Sequence, residues 1–342
     1  MRWLETGHSS LLSTLLWLLG CASALGAAQQ FIYKKQYAMG TVYEIAAYDP
    51  SPERASKAIE AAFHRIVELD HMMSNFDESS DLSRLNRSAH FHAEPVPADL
   101  YRAIQDSLIY SRLSGGKFDI SVAPLVDAWK AAQTRGQPLS ASVIEKLRRC
   151  VGYQQIEMIP PNRIEFHSPC LRIDLGAIGK GYAVDRAAEA LRSYGLQSAL
   201  INAGGSTIYA LGAPPGQPGW LVHLRDPSRR LDPTVLLQDD SVSTSEQNRS
   251  SLIDPEAFGH IINPFTDRPV NATLAVSVVA RTAVATDGLS TTLFLMGPQE
   301  GGRLVRRLPD VAALWVSPAG KSNWVSTGPQ IMMHHSAIHS LR

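Results

Sequence analysis

Asp174-Leu175-Gly176-Ala177-Ile178-Gly179-Lys180-Gly181-Tyr182-Ala183-Val184-Asp185 is the stretch on which the reading of this chain turns. It reads as a strand handed to a helix through three glycines. Glycine lets backbone approach a ligand closely and take dihedrals that other residues avoid. A helix start offers unpaired N–H groups and the positive end of the helix dipole, which suit phosphate. Lys180 adds a mobile positive charge there. The spacing G-x-x-G-K-G is neither a Walker loop nor the dinucleotide fingerprint G-x-G-x-x-G. Taken alone, the run is compatible with a phosphate site or with an ordinary glycine-rich turn.

Outward from this run, the pattern alternates. Lys180 to Tyr194 reads as a helix ended by Gly195, and Ser198 to Ala203 as a buried strand running into Gly204-Gly205. Ala275 to Ala280 and Val311 to Val316 read as apolar strands, and Thr286 to Met296 as a helix ended by Gly297. Toward the N-terminus, Phe31 to Ala47 is extended and interrupted at Met39-Gly40-Thr41. Ser51-Pro52 starts a helix, because Ser caps and Pro suits the first turn. Ile59, Phe63, Ile66 and Leu69 give that helix one buried face. A polar loop is expected from Ser74 to about Asn86, and a second amphipathic helix from Ala98 to Leu113. Residues 133–150 read as a polar connection with a short helix. The pattern implies a mixed α/β to α+β fold, with no internal boundary, repeat or low-complexity linker.

The 342 residues are 44% apolar and 19% charged, with zero net charge. That is an ordinary globular composition. It gives no support to a nucleic-acid partner, which needs a basic face. No stretch after residue 25 is long and apolar enough to span a bilayer. The first 27 residues differ: Leu11 to Gly20 is a short apolar core followed by small residues, the shape of a secretory signal. Leu18-Leu19-Gly20-Cys21 resembles a lipobox; the alternative is ordinary cleavage within residues 22–27. The expected location is therefore the periplasmic side of the inner membrane, as a lipoprotein, or the periplasm. Cys150 and Cys170 read as structural, and export would permit a disulfide. No Cys/His spacing suggests zinc.

Two further runs bear chemistry. On a helix, Asp287 and Thr291 sit one turn apart on one face, and carboxylate and hydroxyl oxygens suit Mg2+. Asp287 as a helix cap and Thr291 as packing is the alternative. His260-Ile261-Ile262-Asn263-Pro264 places a histidine beside a Pro-bounded turn, where it is a general-base candidate or a structural side chain.

In order and spacing, these runs resemble the ApbE family of FAD:protein FMN transferases. Met39-Gly40-Thr41 resembles its opening motif. Met73 to Asp77 and Ser80 to Asn86 resemble its polar loop, and Gly116-Lys117-Phe118-Asp119 through Val126 with Trp129 its G-x-F-D-x-x-x-x-P-L block. The glycine run, Asn202 to Gly205, Ser243-Thr244-Ser245, His260 to Ile262 and Asp287 to Thr291 follow in register.

The resemblance implies a single large ApbE-like, T-fold-related domain over residues 28–342, after the signal at 1–27. It implies Mg2+-dependent transfer of FMN from FAD to a threonine or serine of an acceptor flavoprotein, a subunit of a membrane electron-transport complex, with release of AMP. An FAD diphosphatase and a non-catalytic flavin-binding lipoprotein are the alternatives. Met39, Phe76, Lys117, Phe118, Asp119, Asp174, Lys180 and Ile262 would line FAD. Ala177, through its carbonyl, Asp287 and Thr291 would hold the metal. His260 is the first candidate for the base and Asp287 the second. Glu246, Asn263, Asp267 and Ser290 depart from the family pattern. The first three bear on acceptor preference, and Ser290 on a second metal site.

Overall fold

The computed structural model describes residues 28–247, 261–270, 272 and 274–335. The expected signal with Cys21, and His260, lie outside the described residues.

Eight strands form one sheet whose spatial order follows chain order: β1 (Gln30–Ala38), β2 (Thr41–Asp49), β3 (Ala199–Ala203), β4 (Thr207–Leu211), β5 (Asp240–Gln247), β6 (Leu274–Ala280), β7 (Ala312–Val316) and β8 (Ser322–Ser326). Every neighbouring pair is antiparallel, so the mixed fold falls on the α+β side. Seven helices accompany it among the described residues: α1 (Pro52–Met73), α2 (Asp81–Ser88), α3 (Ala98–Leu113), α4 (Ala123–Arg135), α5 (Ala141–Arg148), α6 (Gly179–Ser193) and α7 (Ala283–Val305).

Local chemistry sets the boundaries. Ser51 caps α1 by accepting the Arg54 N–H, with Pro52 in the first turn, a cap worth about 1 kcal/mol. Met39 and Gly40, with φ of 49° and 72°, make the two-residue turn that joins β1 to β2, where both positions need the left-handed region. Helices α1, α6 and α7 pack against one face of the sheet. A three-stranded sheet (Trp220–His223, Leu231–Leu237 and Ile331–His335) closes a second core, containing Val222, Val235, Val242, Val279 and Leu314. Strands β6 and β7 therefore lie between two cores, which is why they read as nearly continuous apolar runs.

Three expectations change. The residues before the glycine run are extended but form no ladder; Arg172 makes a single bridge to Val122. The side chain of Asn86 substitutes for a strand partner: its amide donates to Ile173 O at 3.0 Å and its oxygen accepts from Ile173 N at 2.8 Å. The polar loop after Ser74 contains α2, capped by Ser80 and anchored by buried Leu82 and Leu85. Helix α7 does not stop at Gly297; it kinks there at φ 73° and resumes through Pro298. Cys150 and Cys170 are joined as a disulfide.

Candidate active site

The glycine run brings α6 against α7. A Cβ on Gly181 would lie 2.3 Å from the Ala283 carbonyl oxygen and 2.7 Å from Asp287 Cβ, so only glycine permits this approach. The close contact lets Gly181 N–H donate to Asp287 Oδ2 at 2.8 Å. Asp185, one turn further along α6, accepts from the first N–H groups of α7, those of Ala283 and Val284, at 2.8 and 2.9 Å. The run therefore builds a helix–helix joint. Two N–H groups expected to be free at the start of α6 are used, Gly179 on Leu175 O and Gly181 on Asp287. Positive charge for a phosphate then comes from side chains, Lys180 among them.

A cavity of about 500 Å³ opens beside this joint, in the size range of small-molecule sites. It is lined by Phe76, Lys117, Phe118, Asp119, Asp174, Ala177, Lys180, Ile262, Asp287 and Thr291 among others. These are the expected site residues apart from Met39 and His260. The left-handed turn aims Met39 back toward the main core, where Tyr43 Oη–H donates to its Sδ at 3.2 Å, and it is not among the lining residues.

The lining side chains differ in how free they are. Phe76 is 91% exposed, with Lys130 Nζ 5.7 Å from its ring centre. Lys117 is paired with Glu300. Asp119 is buried and holds its own turn, accepting from Ser121 N, Ser121 Oγ and Tyr153 N. Burial raises its carboxyl pKa, opposed by those hydrogen bonds. Asp287 is buried on α7, and desolvation raises its pKa; Lys180, the Gly181 N–H and the Thr207 hydroxyl act in the opposite direction. Lys130, Arg225, Ser206, Thr244 and Ser245 also line the cavity. Of these only Thr244 and Ser245 belong to a run the sequence marked; Lys130 and Arg225 carried no motif.

Each departure from the family pattern is held by local contacts. Asn263 Oδ1 accepts from Phe265 N at 2.9 Å, the turn contact a carboxylate would make. Asp267 stands where glycine is usual and adopts φ 54°, a conformation Asp tolerates better than most residues. Its carboxylate is anchored by Arg148, Nε to Oδ2 at 2.7 Å, and its carbonyl by Trp129 Nε1 at 2.8 Å. Glu246 meets Arg225 at 3.1 Å on the cavity wall. Ser290 is fully buried and turned toward β5.

Among the described residues, no group of three or more His, Cys, Asp or Glu side chains converges to hold a metal. Mg2+ does not require one, since it binds through one or two carboxylates together with substrate phosphates and water. One buried carboxylate, one threonine hydroxyl and Ala177 on the wall make an oxygen donor set of that kind.

Fold and cavity together define a transferase of the ApbE family: the chain belongs to that family, whose sequence model matches residues 39–315. Its relatives carry the name FAD:protein FMN transferase. The Treponema pallidum protein is 28% identical over 323 residues, covering 88% of this chain and 89% of the relative. The Escherichia coli K12 protein is 27% identical, covering 93% and 97%. Among solved structures, the flavin transferase ApbE from Vibrio cholerae superimposes with a TM-score of 0.76 at 25% identity, covering 87% of this chain and 98% of that one.

Proposed function

We propose that this protein transfers FMN from FAD to a threonine or serine hydroxyl of an acceptor protein, releasing AMP, in a Mg2+-dependent reaction. The observation that carries the reading is one cavity that gathers Lys180, Asp287, Thr291 and Ala177 beside the exposed aromatic ring of Phe76. The acceptor oxygen bonds to the FMN-side phosphorus, the pyrophosphate P–O bond breaks, and AMP leaves with the electron pair. Lys180 faces negative charge building on the phosphates, as a fixed cation in a partly desolvated site. Phe76 offers a free ring face for the isoalloxazine or the adenine. Asp287, Thr291 and the Ala177 carbonyl would hold Mg2+. A bound Mg2+ supplies neutralisation of charge on the phosphoryl oxygens. A serine or threonine hydroxyl is a weak nucleophile at neutral pH and needs a base. His260 is the candidate on sequence grounds, next to Ile261 of the cavity wall.

The disulfide and the residues 1–27 pattern support export, with lipid attachment at Cys21 as the proposed anchor. Among the described residues no helix is long and apolar enough to cross a membrane. A flavoprotein subunit of a membrane electron-transport complex is the acceptor this location favours.

The test incubates purified protein with FAD, Mg2+ and candidate flavoprotein subunits, then measures AMP and protein-bound flavin fluorescence. Equal amounts of AMP and labelled acceptor support transfer. AMP with no labelled protein makes the enzyme an FAD diphosphatase, and absence of both overturns the reading.

A further inference from the structure

Strand β5 is unusual for a central strand because its inward face carries hydroxyls, Ser241, Ser243 and Ser245. They meet hydroxyls of α7 at two places, Thr286 and the Ser290-Thr291 pair one turn further on. Ser241 and Ser243 approach Thr286 Oγ1 at 3.0 and 2.8 Å, and Ser245 approaches Ser290 Oγ at 2.8 Å and Thr291 Oγ1 at 3.0 Å.

The direction of the last set follows from counting protons. Each hydroxyl has one. Ser290 Oγ lies 2.9 Å from the Asp287 carbonyl oxygen, and a carbonyl only accepts, so the Ser290 proton is committed there. Ser290 can then only accept from Ser245, which commits the Ser245 proton. Ser245 can in turn only accept from Thr291. The relay runs Thr291 O–H to Ser245 O–H to Ser290 O–H to Asp287 C=O. It draws the Thr291 proton toward the strand and leaves the oxygen lone pairs for the cavity. The other side chain of the donor set is also held by a hydroxyl, since Thr207 donates to the Asp287 carboxylate.

We propose that Ser245 is a positioning residue that fixes the Thr291 hydroxyl with its oxygen turned to a divalent cation. This rests on the metal reading above and extends it to the Ser243-Thr244-Ser245 run, for which the transfer chemistry gave no use. A serine at this place does what outer hydrogen-bond partners do at metal sites, where their loss typically lowers metal affinity about 10–100-fold.

The test measures Mn2+ affinity by the paramagnetic resonance signal of free Mn2+, with FAD present, in wild type, Ser245→Ala, Ser245→Thr, Thr291→Ala and the Ser245→Ala/Thr291→Ala double variant. FAD affinity in EDTA and melting temperature are recorded for each. Ser245→Ala is expected to bind Mn2+ about tenfold more weakly with FAD affinity in EDTA within twofold of wild type. Ser245→Thr, which keeps the hydroxyl, should recover most of the loss. The double variant should be no weaker than Thr291→Ala alone, because Ser245 acts through Thr291. Unchanged Mn2+ affinity in Ser245→Ala, or full additivity in the double variant, overturns the proposal. Loss of Mn2+ and FAD affinity together with a lower melting temperature makes Ser245 a packing residue and also overturns it. Wild type that binds no Mn2+ removes the metal reading itself.

Discussion

A single carboxylate does most at the residue scale. Asp287 is buried, with burial raising its pKa, yet three groups favour its charged form: Lys180, the Gly181 N–H and the Thr207 hydroxyl. Its side chain links the α6–α7 joint to the cavity. On the proposed metal role, Asp287→Ala should abolish the Mg2+ response, lowering transfer on the order of 10²-fold or more, since removing a ligand costs at least what removing its support does. Alanine also strands the Gly181 N–H, at about 1–3 kcal/mol of stability. Asp287→Asn keeps an acceptor and separates the two effects. Reactions stopped by EDTA and restarted by Mg2+ provide the measurement, and wild-type turnover in Asp287→Asn at limiting Mg2+ would remove Asp287 from the metal site. His260→Ala should lower single-turnover transfer by roughly 10²–10⁴-fold while FAD affinity stays within a few-fold, the pattern of a lost general base. A joint fall in FAD affinity and melting temperature would instead make His260 structural.

At the element scale, legibility followed burial. Helices α1 and α3 declared themselves because one apolar stripe faces the core, and β6 because both faces are buried. Strand β5 was not read. Asp-Ser-Val-Ser-Thr-Ser-Glu-Gln looks like a loop, and its central place becomes intelligible only when the α7 hydroxyls that satisfy its serines are known. Helix α4 carries Pro124 in its first turn but lacks a side-chain cap at Val122, and it was not read; Lys130, which it carries to the cavity, was missed with it. The glycine run divides its work: Gly181 serves the approach of α7, while Asp174, Ala177 and Lys180 line the cavity. That joint has a pH signature. Desolvation raises the Asp185 pKa from 3.8 to about 6, opposed by its two helix-capping hydrogen bonds. An acid that holds its proton more tightly when folded contributes stability that is full below pH 3.8 and lost as pH rises through 6. Relative to Asp185→Asn, wild type should lose roughly 2 kcal/mol of stability between pH 4 and pH 7. Denaturant unfolding of both proteins at pH 4, 5, 6 and 7 checks this, and a pH-independent difference would show that Asp185 titrates normally.

Across the whole molecule, long-range ties assemble the cavity from distant segments. Residues 171–175 reach it as a strap with no ladder of its own, held by Asn86, by Ile120 O through the Asp174 N–H at 2.8 Å, and by the Cys150–Cys170 disulfide. The cross-link joins the region after α5 to the strap four residues before Asp174. It spans a sequence separation of 20 residues, and a loop of that length restricts the unfolded chain by about 3 kcal/mol in the chain-entropy account. Reduction, or Cys150→Ser with Cys170→Ser, should therefore lower unfolding stability by about 2–4 kcal/mol, seen as a shifted denaturant midpoint at unchanged slope. If the strap also relies on the cross-link for its native position, FAD affinity should fall as well, because Asp174, Ala177 and Lys180 follow directly. If Asn86 and Ile120 suffice, stability falls and FAD affinity does not. The structure favours the second outcome, since both hydrogen-bonded ties lie between the disulfide and the cavity residues. FAD titration of the reduced protein in EDTA decides between them, and an unchanged denaturant midpoint would show that the cross-link adds nothing to the fold.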